Sequence, residues 1–293
     1  MSNTFKDHSS SASDRYAAYR PDYPAALFGW LAGLCAGRDA AWDCATGSGQ
    51  AALGLAPHFR RVVATDASAE QIRHAESHPG IDFRVAPAEA SGLADRSVDL
   101  VTVAQAAHWF DLPRFYAEAA RVLKPGGVVA LWGYGRMALP GEMDAPFRRF
   151  YAETVGPWWP PERALIDDAY RSLEFPFAEL AAPAFHIEIE WTLPRLLDYL
   201  STWSAVKRYQ NANGNNPLPA LRAELAPLWG DAERAMQLQW PLFLRVGRRQ
   251  LTHAPKIHRT ARPVPRPRPA RAGRAPYSHA ALHCGTPGCG KPG

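Results

Sequence analysis

Five short apolar runs mark the first half of the chain: DAAWDC, RRVVATD, IDFRVA, VDLVTVA and GVVALWG. Each is too short for a helix and is bounded by turn residues, the pattern of a strand buried on both faces. Between them lie helix-like stretches. One covers 50–58, a second covers 68–77 behind a capping Ser68 with Gln71 three residues on, and a third covers 113–123 behind Asp111. Strands alternating with helices predict a doubly wound α/β fold on a mostly parallel sheet. Beyond Gly133 the rhythm changes. Residues 136–183 carry many prolines and aromatics with no strand pattern, and then FHIEIEWTL and MQLQWPLFLRVG predict two more strands separated by helices.

Charge divides the chain differently from hydropathy. The net charge of +5 comes from a tail, 251–293, that holds eight basic residues and no Asp or Glu, leaving 25 basic against 28 acidic residues in the body. The tail is rich in Pro and Arg and poor in aliphatics, so it cannot bury enough surface to offset its ordering entropy and is expected to be disordered. Its composition also fits a shifted reading frame in a GC-rich gene. Tyr277 is its single aromatic residue, so stacking on nucleic acid is not expected. The first 15 residues are polar, and nowhere do eighteen apolar residues run together. A soluble cytoplasmic protein without membrane contacts is the expectation. Cys35, Cys44, Cys284 and Cys289 form neither a zinc pattern nor a disulfide framework, so reduced thiols and no metal are expected.

The candidate chemistry begins at the first strand's end, in WDCATGSGQAALGLA. A glycine-rich turn between strand and helix brings backbone N–H groups close to a ligand. Gly47, Gly49 and Ala52 satisfy the G-x-G-x-x-A spacing of a dinucleotide site, which keeps an NAD(P)-dependent oxidoreductase among the readings. A P-loop is excluded because no Gly-Lys-Ser/Thr follows. Asp43, four residues before Gly47, points elsewhere: a carboxylate directed into the turn repels a pyrophosphate and suits a cationic ligand such as S-adenosylmethionine. Asp66 closes the second strand 23 residues later, where a carboxylate accepts hydrogen bonds from ribose hydroxyls. Ala88 and Glu89, after the third strand, would border an adenine.

Taken together, Asp43-Cys44-Ala45-Thr46-Gly47-Ser48-Gly49, the acid after the second strand and the turn from Arg121 to Gly127 resemble the class I S-adenosylmethionine-dependent methyltransferases. Ala45 stands where that family usually has glycine. RYAAYRPDYP near the start and AHWFD after the fourth strand are similar to the trans-aconitate methyltransferase-like subgroup. The resemblance implies a seven-stranded sheet of order 3-2-1-4-5-7-6 with strand 7 antiparallel and a helical insertion after strand 5. It implies one domain over 1–250, with core 38–135, insertion 136–183 and closing strands 184–248. The cofactor implied is S-adenosylmethionine, held by Arg20, Asp43, Ala45, Gly47, Gly49, Asp66, Ala88, Glu89 and Gln105.

Methyl transfer from a sulfonium is an in-line displacement, so alignment and exclusion of water dominate. A carboxylate acceptor, ionised above pH ~4, needs no base, whereas a phenol near ~10 or an ammonium must first lose a proton. His108 is the candidate base, and Trp109, Trp158 and Trp159 are candidate substrate contacts. The resemblance implies a small-molecule acceptor methylated at oxygen, with a carboxylic acid as the candidate. A cofactor-binding protein without catalysis is the third reading.

Overall fold

The computed structural model describes residues 22–250; Arg20 and the tail from residue 251 lie outside the described residues. α1 (Ala25–Leu34) leads into β1 (Ala40–Cys44), α2 (Gln50–Leu55), β2 (Arg61–Asp66), α3 (Ala69–Arg73), β3 (Ile81–Val85) and β4 (Val98–Ala104). A 3-10 turn (Ala107–Trp109), α4 (Leu112–Val122) and β5 (Leu123–Tyr134) follow. The expected caps are present: Ser68 Oγ accepts from Gln71 N at 3.3 Å and Asp111 Oδ1 from Arg114 N at 3.4 Å. α2 and α3 are shorter than their sequence pattern suggests. Pro57 has no N–H to extend α2, and none of the five residues of α3 is buried, so packing adds nothing beyond its cap.

The sheet has order β3-β2-β1-β4-β5-β8-β6, with β7 also paired to β8. β1 to β5 run parallel, and β8 (Met236–Arg248) reverses against β5, as expected for the closing strand. β7 (Phe185–Trp191) and β6 (Ala178–Leu180) share the outer edge of β8, both antiparallel to it. β6 is the departure from expectation, a three-residue strand in a segment without strand pattern; Ala178, Glu179 and Leu180 are too few to carry a period. β7 presents His186, Glu188 and Glu190 outward and buries Ile187 and Trp191, the charged alternation that protects a sheet edge.

Strand alternation splits the core between two layers. Leu100, Ala130 and Trp132 face α1, α2 and the closing helices α7 (Leu193–Ser201), α8 (Ser204–Asn213) and α9 (Leu218–Trp229). Trp42, Val101, Val103 and Leu131 face α4, whose Phe115, Tyr116, Ala119 and Val122 form one buried stripe. The segment after β5 folds as α5 (Asp144–Arg149), a π-helical turn (Phe150–Thr154), a 3-10 turn (Gly156–Trp158) and α6 (Arg163–Asp167). It belongs to both layers: Phe147, Phe150 and Val155 join the first, Ile166 and Tyr170 the second.

Candidate active site

Parallel register builds the first half of the site. Asp43 of β1 is paired with Thr102 of β4, so their side chains lie on the same face, and Thr102 Oγ1 donates to Asp43 Oδ1 at 2.8 Å. Thr46 Oγ1 donates to the other oxygen at 2.5 Å. Both carboxylate oxygens are thus engaged inside the fold, and the side chain has no exposed surface. The expectation that Asp43 projects into the turn gives way to a different geometry: it clamps the turn from beneath. Burial pushes its carboxyl up to about 6, with the two threonine hydrogen bonds acting in the opposite direction.

The turn itself has a left-handed backbone at Ala45 (φ +54°), Gly47 (φ +58°) and Gly49 (φ +95°). At Gly49 a Cβ would come within 2.9 Å of the Phe83 ring, so glycine is required by both φ and space. Ala45 occupies a conformation glycine favours, which is where strain is stored at this site. Asp66, at the end of β2, accepts from Gly47 N at 2.9 Å and Ser68 N at 2.8 Å, tying the turn to the next strand while 9% of its surface stays exposed. Each oxygen keeps acceptor capacity beyond that one bond. Glu89 Oε1 accepts from Asp111 N at 3.0 Å, and Ala88 is buried in the second layer of the core.

The charges acting on Cys44, at the root of the turn, are all carboxylates: Asp43, Glu89 and Asp66. A pyrophosphate meets repulsion there, and a ligand with ammonium and sulfonium centres meets attraction. These carboxylates suit S-adenosylmethionine better than a dinucleotide.

Past β4 the chain bends sharply at Gln105 (φ +56°). Its amide pairs with β5, donating from Nε2 to Tyr134 O at 2.9 Å and accepting Tyr134 N at 3.2 Å on Oε1, with one proton and one lone pair left over. Gln105 thus joins two strand ends, and the cofactor contact the resemblance implies for it would use the remaining amide proton or lone pair. The 3-10 turn that follows presents His108 half-buried and Trp109 with 48% of its surface exposed, their rings 4.6 Å apart. His108 Nδ1 lies 2.8 Å from the hydroxyl of Tyr170, a fully buried residue after α6 whose position has no sequence signature. Burial lowers the His108 pKa to about 4, the positive charge of Arg163 pushing the same way and Glu162 opposing. The imidazole is neutral at pH 7.

Trp158 and Trp159 sit in an aromatic cluster of the helical layer. Trp158 meets Tyr209 at 6.0 Å, and Trp159 meets Trp203 at 5.2 Å and Tyr151 at 5.5 Å. Between that cluster and the end of β5 is a cavity of about 460 Å³ lined by Arg136, Tyr151, Ile166, Asp167, Leu242 and Phe243, among others. Arg136 is neutralised by Asp144, with Nη1 to Oδ1 at 2.5 Å. Arg163 lies over Trp159 (4.7 Å) and Tyr151 (5.5 Å), and its Nε donates to Tyr151 Oη at 2.9 Å and to Asp167 at 3.3 Å. Thr46, Thr102, Tyr170, Arg163 and the cavity residues are additions to the site that the sequence reading did not include. Among the described residues, no group of three His, Cys, Asp or Glu is placed to hold a metal, and no helix is long and apolar enough to cross a membrane.

A doubly wound sheet closed by a reversed strand, with a carboxylate-ringed glycine turn at the carboxyl ends of β1 and β2, defines a Rossmann-like S-adenosylmethionine-binding fold. Residues 42–131 match a family model described as a methyltransferase domain. A Dictyostelium discoideum protein named as a methyltransferase is 33% identical over 254 residues, covering 84% of this chain and 96% of its own. A solved structure from Anaeromyxobacter dehalogenans, described as a type II methyltransferase, is 46% identical, with a TM-score of 0.76 over 79% of this chain and 98% of its own. A Saccharomyces cerevisiae protein named as an S-adenosylmethionine-dependent methyltransferase is 31% identical over 42% of this chain and 45% of its own. The chain belongs to the class I S-adenosylmethionine-dependent methyltransferases, and S-adenosylmethionine is its methyl donor.

Proposed function

We propose that the enzyme methylates a small-molecule acceptor at oxygen, and that this acceptor is a carboxylic acid. The trans-aconitate-like motifs of the sequence favour the same choice. The observation that carries the proposal is the state of His108. It is the titratable group past the carboxyl end of β4, yet it is largely buried, held by Tyr170 and biased towards neutrality by Arg163. A group with a pKa of about 4 is a weak base against a phenol near ~10 or an ammonium near ~10. An acceptor that arrives already ionised requires no such base.

In this reading Asp66, Gly47 and Gly49 hold the donor, with Asp43 keeping the turn in shape and Ala88 and Glu89 bordering the adenine. When bound, the donor supplies an electrophilic methyl on a sulfonium. The cavity beyond β5 takes the body of the acceptor, while Arg163 and His108 orient its anionic group. Trp109 flanks this region from the β4 side; Trp158 and Trp159 support it from the helical layer. Reduced thiols at Cys35 and Cys44 agree with a cytoplasmic setting.

A turnover panel tests the proposal: formation of S-adenosylhomocysteine from S-adenosylmethionine with small carboxylic acids, phenols and amines of matched size. Turnover confined to the acids supports it. Turnover of amines or phenols with inert acids overturns it.

A further inference from the structure

We propose that the acceptor carries a hydroxyl group, and that Asp167 receives the proton of that hydroxyl in the wall of the cavity beyond β5. This deepens the function proposed above, because it rests on that cavity as the acceptor site and narrows the acceptor to a hydroxylated small molecule.

The cavity adjoins the groups past the carboxyl end of β4. Gly135, in its lining, follows directly on Tyr134, whose backbone N–H and carbonyl pair with the Gln105 amide. Phe243 lines the same cavity and meets the Tyr170 ring at 5.0 Å, and the Tyr170 hydroxyl lies 2.8 Å from His108 Nδ1. Ligands of open α/β sheets bind at this end of the strands.

One wall of the cavity is a hydrogen-bonded group with its donors spent. Tyr151 and Asp167 both line the cavity, and the Tyr151 hydroxyl donates to Asp167 Oδ1 at 2.7 Å. Arg163 Nε donates to the same two atoms, at 2.9 Å to Tyr151 Oη and 3.3 Å to Asp167 Oδ1. Burial raises the Tyr151 phenol above its ordinary range, so its proton stays in that bond at neutral pH. What remains is acceptor capacity: a lone pair on Tyr151 Oη and the whole of Asp167 Oδ2, which no hydrogen bond reaches among the described residues. The Asp167 side chain is 44% exposed, so a ligand in the cavity can reach it. Such a wall favours a ligand that brings a donor of its own.

Charge decides which donor fits. Asp167 is balanced by Arg163, and the other charged residue of the lining, Arg136, is balanced by Asp144. An ammonium would leave water for a cavity with no net charge to offset the loss, whereas a hydroxyl brings its proton without a charge. Ile166, Leu242 and Phe243 supply apolar surface for the body of the molecule. Asp167 is thus a specificity-determining residue, remote from the methyl transfer itself.

Calorimetry on the full chain saturated with S-adenosylhomocysteine, at pH 7, tests this with paired probes: 3- and 4-hydroxybenzoate against benzoate, and their methyl esters against methyl benzoate. The better hydroxyl isomer should bind about fivefold or more tighter than its parent in both sets. Asp167→Asn keeps an oxygen for Tyr151 and Arg163 but puts an amide donor in place of Oδ2, and should bring that ratio close to one. A purely structural role for Asp167 would weaken both members of a pair alike and leave the ratio unchanged. 3-(Aminomethyl)benzoate should gain less over benzoate than the better hydroxyl isomer does.

Binding without a hydroxyl preference, a preference that survives intact in Asp167→Asn, or a larger gain from the ammonium probe would each overturn the inference. Failure of every probe to bind would overturn the cavity as the acceptor site, and the inference with it. The ester set carries no carboxylate, so it reports on Asp167 even if the turnover panel rejects acids.

Discussion

Replacing Asp43 by asparagine should raise the stability of the ligand-free enzyme while lowering its affinity for the cationic donor. Burial holds the Asp43 carboxyl at about 6, about two units above its ordinary ~3.9, and each unit is worth ~1.4 kcal/mol. Because the folded-state pKa is the raised one, the advantage of the protonated form is complete below about pH 4 and is lost as pH rises through about 6. At pH 8 the ionised group therefore costs about 3 kcal/mol relative to a neutral one. Asparagine behaves as the neutral form at every pH. Its amide requires either Thr46 or Thr102, both of which now donate to the carboxylate, to turn and accept; that pH-independent adjustment costs about 1 kcal/mol. The stability difference between Asp43→Asn and wild type should thus move by about 3 kcal/mol in the variant's favour between pH 4 and pH 8. At pH 8 the net gain of about 2 kcal/mol corresponds to roughly 4–8 °C in Tm for a domain of this size. Thermal and urea unfolding of both proteins at the two pH values measures this. Calorimetry at pH 8 should show S-adenosylmethionine losing more affinity than S-adenosylhomocysteine, which lacks the sulfonium charge. A stability difference that does not vary with pH would refute the argument that a buried, ionised Asp43 is kept for its charge.

Asp66→Ala removes the acceptor for Gly47 N and Ser68 N together with the acceptor proposed for the ribose, and should weaken cofactor binding by roughly 2–4 kcal/mol by calorimetry; an unchanged Kd contradicts that role. At Ala45, φ +54° predicts that Ala45→Val destabilises by about 1–3 kcal/mol while Ala45→Gly stays within about 1 kcal/mol of wild type, read by urea unfolding. His108, with a lowered pKa of about 4, gives its full contribution to stability above the ordinary ~6.5, and that contribution is lost as pH falls through about 4. Turnover of a carboxylic acid should accordingly show no His108 inflection near pH ~6.5, and an inflection there that disappears in His108→Gln contradicts the assignment.

The central sheet was legible because buried parallel strands are nearly continuous apolar runs: VDLVTVA becomes β4 with six of its seven residues buried. Capping was legible for the same local reason, Ser68 and Gln71 being three residues apart. The shape of the glycine turn was legible where residue type and backbone coincide, at Gly47 and Gly49 with their positive φ and at Asp66, which accepts from Gly47 N. It was not legible where a contact depends on register. Thr102 meets Asp43 across 59 residues of sequence because β1 and β4 align them, and no local pattern in VDLVTVA marks that threonine. The position of Gln105 after β4 is visible in the sequence, while its pairing with Tyr134 depends on the alignment of two strand ends and is not. Tyr170 and Arg163 lie in the Pro- and aromatic-rich segment where neither helical nor strand period holds, so nothing short of the fold connects them to His108. Trp158 and Trp159 were conspicuous by type, yet their partners Tyr209, in α8, and Trp203, just before it, come 51 and 44 residues later.

The most direct measurement of the acceptor chemistry is the lability of the product. With tritium in the methyl group of S-adenosylmethionine, a methyl ester releases its label as volatile methanol under mild base, whereas a methyl ether or a methylamine retains it. Base-volatile label, formed by the wild type at neutral pH and sharply reduced in Arg163→Gln, is the predicted result. Label that stays with the product through base treatment would contradict the carboxylate reading.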